Sequence, residues 1–197
     1  MMHLWKRTAW STVSALLLVL SSQLISAQNA SKDVSKDEAK VAKERAQIDA
    51  DAADVLKEFR GMKGADALYN KAAGYAVFKV TKAGLGASGA GGGGLAVNKK
   101  TSAKTYMRMG SAGVGFTIGA TRYDVVILFE TQDKLDAFVK GGWDSSATAQ
   151  AAAGSKGADV SSTFFNGVAY YQITKKGLMA SADVSGTKFW ADDLNKK

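Results

Sequence analysis

Apolar residues recur at spacings of three and four after Ser35-Lys36-Asp37-Glu38: Val41, Ile48, Ala52, Val55 and Phe59, with Arg45 on the same line. That spacing puts one narrow apolar stripe on a helix, and Ser followed three residues later by Glu is a capping box that opens one. The helix is predicted to run to about Arg60, where Gly61 stops it. Lys40, Lys43, Glu44, Asp51, Asp54, Lys57 and Glu58 fall on its other faces. Their mixed signs, with the alanine in the stripe, favour packing on the domain over a helix lying on a membrane.

A short helix over residues 65–72 follows, and then the period changes. Residues 75–80, 95–97, 105–109, 113–120 and 125–129 are β-branched, aromatic or alternating, and read as strands joined by short turns. Thr131 is placed to cap a helix holding Leu135, Phe138 and Val139, which Gly141-Gly142 end. The Ala/Gly/Ser stretch 147–160 has no clear period. Strands over 167–173 and 178–184 come next, then a tail from Lys188. The pattern predicts an α+β fold: a Gly-rich, mainly antiparallel sheet with a long N-terminal helix and a short helix near 132–140.

The sheet region repeats itself. Gly74-Tyr-Ala-Val-Phe-Lys-Val-Thr-Lys-Ala-Gly-Leu-Gly-Ala-Ser88 aligns without gaps on Gly167-Val-Ala-Tyr-Tyr-Gln-Ile-Thr-Lys-Lys-Gly-Leu-Met-Ala-Ser181. Each copy reads as strand, Thr-Lys-x-Gly turn, strand, so the sheet is expected to contain two similar hairpins. Such a sequence can be turn chemistry alone. It can also present Lys82 and Lys175, with backbone N–H groups, to an anionic head group, and symmetry would then set both lysines on one rim of the sheet.

The first 27 residues read as a secretory signal: basic Lys6-Arg7, apolar Ala15-Leu-Leu-Leu-Val-Leu20, and small residues at Ser26-Ala27. Ser21, Ser22 and Gln23 interrupt the apolar stretch, which falls short of the ~20 residues of a membrane span. Cleavage near Ala27 would remove Lys6 and Arg7, taking the net charge from +8 to +6. The expected organisation is a signal at 1–27, a polar segment and helix at 28–64, one sheet domain at 65–190 and a tail at 191–197. No Cys is available for a lipid anchor or a disulfide, which suits a periplasmic or secreted protein that is not a lipoprotein. A modest basic excess favours an anionic membrane surface, and export disfavours nucleic acid.

The only histidine, His3, lies in the signal, so the remaining chain lacks both His and Cys. Ser-His-Asp and Cys-His catalysis and the usual zinc ligands are thereby missing, and no cofactor or enzymatic activity is expected. Gly84-Leu-Gly86-Ala-Ser-Gly89 satisfies G-x-G-x-x-G after a strand, but Gly91-Gly92-Gly93-Gly94 cannot open the helix a dinucleotide needs. No Asp or Glu falls between Gly84 and Tyr123 to hold a ribose. Glycines in a strand instead let another backbone or a ligand approach closely.

Together, Gly74-Tyr-Ala-Val-Phe-Lys-Val-Thr-Lys-Ala-Gly-Leu-Gly, the glycine run to Gly94, Gly113-Val-Gly-Phe-Thr-Ile-Gly-Ala, Asp124-Val-Val-Ile-Leu-Phe, the helix Asp133-Lys-Leu-Asp-Ala-Phe and Lys175-Lys-Gly-Leu-Met-Ala-Ser resemble the SYLF domain family. This is the lipid-binding or actin-binding domain of the yeast cortical-patch type, and the resemblance runs from about Leu68 to Lys188, with the chain most similar to an exported bacterial member. It implies lipid binding, with anionic phospholipid as the partner in a bacterial envelope. Lys82, Lys175 and Lys176 are the first candidates for head-group contact, followed by Lys79, Lys99, Lys100 and Lys104. The alternative is a structural protein whose Gly/Ala-rich strands pair with another copy or another envelope protein.

Overall fold

The computed structural model describes residues 36–85, 87–114, 119–143, 164–175, 177–179 and 186–196. The signal segment, the stretch 147–160 and Lys176 lie outside the described residues. The chain divides into two units, Met1–Glu44 and Arg45–Lys197. In the first, residues 36–44 are helical; the second holds everything described below.

Helix α1 covers 36–60 and ends at Gly61, as the stripe and its glycine stop predict. Helix α2 is Ala65–Lys71. Strands follow at Gly74–Leu85 (β1), Ala87–Asn98 (β2), Lys104–Val114 (β3) and Gly119–Phe129 (β4), then helix α3 at Gln132–Gly141. Strands β5 (Val168–Thr174), β6 (Gly177–Met179) and β7 (Thr187–Ala191) precede a 3-10 turn at Asp193–Asn195. Among the described residues the sheet has seven strands in the order β6-β5-β4-β1-β2-β3-β7, each paired antiparallel with its neighbours. The α+β class and the antiparallel sheet match the sequence reading.

Three details differ from it. The alternating stretch 113–120, read as one strand, is divided: β3 ends at Val114 and β4 starts at Gly119. These two strands are not neighbours; β4 lies against β1 on the far side from β2. Alternation alone cannot separate the end of one strand from the start of the next. The expected tail from Lys188 contains β7, with Phe189 and Leu194 buried, and Arg45 of α1 donates to the Leu194 carbonyl oxygen. The third difference is in the repeat. In the second copy Thr174 pairs with Gly177, which has φ +102°, a value only glycine adopts readily. Thr81-Lys-Ala-Gly84 is no turn: β1 continues to Leu85, which pairs with Ala87.

Helices cover both faces of the sheet. On one, α3 places Leu135 and Phe138 against Ala76, Phe78, Val80, Ile127, Met107 and Phe189. On the other, Ile48, Ala52, Val55 and Phe59 of α1 are buried, and the Phe59 ring lies 5.2 Å from that of Tyr171. Thus β5 is buried along nearly its whole length, which fits its mostly apolar sequence, and its buried Gln172 donates to the Tyr170 hydroxyl. The stripe on α1, from Ile48 onward, serves packing.

Candidate functional site

Register decides which side chains meet. Lys79 stands directly across from Asp124, and Thr81 across from Arg122. Side chains two apart on a strand share a face, so Asp124 and Arg122 project together toward α1. On the other flank of β4, Asp124 pairs with Ile173, which sets Lys175 on that same side. Helix α1 supplies Asp51 and Glu58, two turns apart. These groups line a cleft of about 440 Å³.

Lys79 donates to Asp51 at 2.9 Å, and that bond raises the lysine's pKa. Arg122, Lys175 and Glu58 are exposed and make no ion pair among the described residues. Asp124 is half-buried and accepts no hydrogen bond among the described residues. Burial pushes its carboxyl above the ordinary value of 3.8, against the pull of Lys79. Because the folded chain holds this proton more tightly than the unfolded chain, native stability falls as pH rises above that value. Asp124→Asn is therefore expected to remove the fall and to be the more stable protein at neutral pH. Urea unfolding of both between about pH 4 and 7 measures this; parallel pH profiles would contradict it.

The candidate lysines are dispersed. Lys79 and Lys175 line the cleft. Lys82 falls on the α3 face, in phase with buried Val80 rather than with Lys79. The two repeat copies thus present opposite faces. Lys79 aligns in sequence with Gln172, yet both Lys79 and Ile173 stand opposite Asp124. This one-residue slip inverts every side chain. Lys99 caps α2, donating to the carbonyls of Tyr69 and Ala72 at 2.7 and 2.9 Å and lying 4.3 Å from the Tyr69 ring centre. Lys104 pairs with Asp49 at 2.8 Å. Lys100 is exposed on the β2–β3 turn, where the Asn98 side chain accepts from its backbone N–H.

The sequence reading missed Arg122, Asp124 and Glu58 as site residues. A usable signal was present: Lys79 interrupts the apolar run Tyr75-Ala-Val-Phe-Lys-Val80, and Arg122-x-Asp124 puts two charges on one face just before Val125.

The fold and cleft define a small α+β module with one antiparallel sheet between helices. Residues 110–197 match the family model Ysc84, described as Las17-binding protein actin regulator. This C-terminal part of the chain is thus similar to a Ysc84 (SYLF) domain. The chain is also 41% identical, over 138 residues, to Beta cell expansion factor A of Aeromonas veronii; the match covers 70% of this chain and 53% of that protein. The chain thus spans about half the length of this curated relative.

Proposed function

We propose that this chain is an exported, non-catalytic module that associates peripherally with phospholipid membranes by binding anionic head groups. The observation that carries the reading is that Arg122 of β4 and Lys175, just after β5, both line the cleft, two exposed cations with no protein carboxylate paired to either among the described residues. The basic net charge supports it, and the similarity to the Ysc84 (SYLF) family is consistent with a lipid- or actin-binding module. No helix among the described residues is long and apolar enough to cross a membrane, so attachment at the surface is the simplest mode. Each basic side chain near an anionic surface contributes about 1 kcal/mol, which makes the attachment weak and salt-sensitive.

Co-sedimentation with phosphatidylglycerol-containing and phosphatidylcholine-only vesicles across a salt series tests it. Binding to the anionic vesicles alone, lost at high salt and weakened roughly 30-fold or more by Arg122→Glu with Lys175→Glu, is expected. Equal binding to both vesicles, or to neither, would sink the proposal. The rival is self-association through edge strand β7, where Trp190 is half exposed. A stable oligomer in light scattering, unchanged by the two charge reversals, would favour that rival.

A further inference from the structure

The cleft is not simply basic, and that narrows its ligand. Lys79 is committed to Asp51, leaving Arg122 and Lys175 facing Glu58 and Asp124: two cations and two carboxylates without protein partners of their own among the described residues. A purely anionic ligand would gain from Arg122 and Lys175 but lose part of that gain against two carboxylates, and so bind more weakly than one that also carries a cation. A purely cationic one would have the opposite problem. Like-charge contacts of this kind select against the wrong partner.

We infer that the cleft binds a phosphate ester carrying a protonated primary amine a short spacer away, with Arg122 and Lys175 on the phosphate and Asp124 and Glu58 on the ammonium. Phosphoethanolamine, free or as a lipid head group, has that chemistry. The assignment rests on the phosphate-binding reading above and adds selectivity for the amine.

Three further features agree. The guanidinium of Arg122 offers paired N–H donors suited to phosphate oxygens. Asp124 lies two residues from Arg122 on one strand face, about 7 Å away along the backbone, so one small molecule can reach both. The desolvated Asp124 carboxyl gains most from a hydrogen-bonded cation, since Lys79 opposite it bonds to Asp51 instead.

Calorimetric titration of the full chain with O-phosphoethanolamine and with glycerol 3-phosphate is one arm of the test. Vesicles of phosphatidylethanolamine in phosphatidylcholine, against phosphatidylcholine alone, are the other. Tighter binding of O-phosphoethanolamine than of glycerol 3-phosphate is expected. The Glu58→Gln/Asp124→Asn pair should lose roughly tenfold toward the amine-bearing ligand while keeping glycerol 3-phosphate. Arg122→Gln should weaken both. Binding in the first arm alone identifies a soluble ligand, and an ethanolamine-dependent vesicle response identifies the lipid. Preference for neither, or a preference that survives loss of both carboxylates, would overturn the assignment. Retained binding to phosphatidylglycerol vesicles in that case would show that the membrane reading stands without it. Far-UV circular dichroism and urea midpoints of the variants separate lost binding from lost folding.

Discussion

Gly94→Ala is expected to destabilise the folded chain by about 3 kcal/mol or more, whereas Gly91→Ala, in the same run of four glycines, is expected to be neutral or slightly stabilising. The difference is one of facing. Gly92 and Gly94 lie opposite Val80 and Phe78, on the α3 face. A Cβ at Gly94 would overlap the Val77 carbonyl oxygen and the Phe78 ring, and one at Gly92 would overlap the Lys79 carbonyl oxygen. Backbone cannot retreat as the end of a flexible side chain can. Gly91 is exposed, and a Cβ there would meet only the Met109 carbonyl oxygen at 3.8 Å, an ordinary contact. At Gly93 the nearest atom would be Ile48 Cδ1 at 3.6 Å. Urea midpoints of the four single Gly→Ala variants measure the contrast, with positions 92 and 94 expected far below 91 and 93. Four similar values would show that the run is needed for chain flexibility rather than for close approach of β1 and β2.

That contrast also marks what could be read before the structure. The glycine run was legible as a place of close approach, and the missing helix and acidic residue removed the dinucleotide reading. Which glycines do the work depends on register, and register depends on partners distant in sequence. The repeat shows the same limit. Gly84 and Gly177 align, yet Gly84 pairs with Ser88 inside a continuing hairpin while Gly177 takes φ +102° opposite Thr174. Local sequence predicted a turn at both, and β1 runs through its copy because β2 and β4 pair with it on either side as far as Gly84. Helix α3 and the end of α1 were legible almost to the residue because the Thr131 cap, the glycine stops and the apolar stripes are local signals.

Only part of the cleft's lining was legible. Lys79 and Lys175 reach the cleft, Lys82 falls on the other face and Lys99 closes the end of α2. A count of lysines near turns ignores that a cation at a helix C-terminus finds carbonyl acceptors at once. It also ignores Arg122 and Asp124, whose meaning appears only when β4 is set between β1 and β5. The carboxylates change the chemistry most. A basic rim would hold any anionic surface, whereas a cleft with both signs can discriminate among head groups of similar size.

Phe138→Ala is expected to cost about 3–5 kcal/mol and to lower Tm by roughly 6–20 °C for a domain of this size. Phe138 is fully buried, and its ring centre lies 5.0 Å from those of Phe129 and Trp143, 5.5 Å from Phe189 and 6.4 Å from Phe78. These rings come from β1, β4, β7 and the segment just after α3, so one side chain ties the centre of the sheet to its β7 edge. Offset and edge-on ring pairs add about 0.5–1.5 kcal/mol each beyond burial, which places this truncation toward the upper end of the range. Trp143 reports the change directly: its emission should shift to the red as the space beside it opens, before global unfolding. Phe138→Leu keeps most of the volume and should lose less than half as much. A Phe138→Ala protein with unchanged Tm and Trp143 emission would mean that α3 is not seated on this face, and the packing that holds β1 and β4 in register for the cleft on the opposite face would need another source.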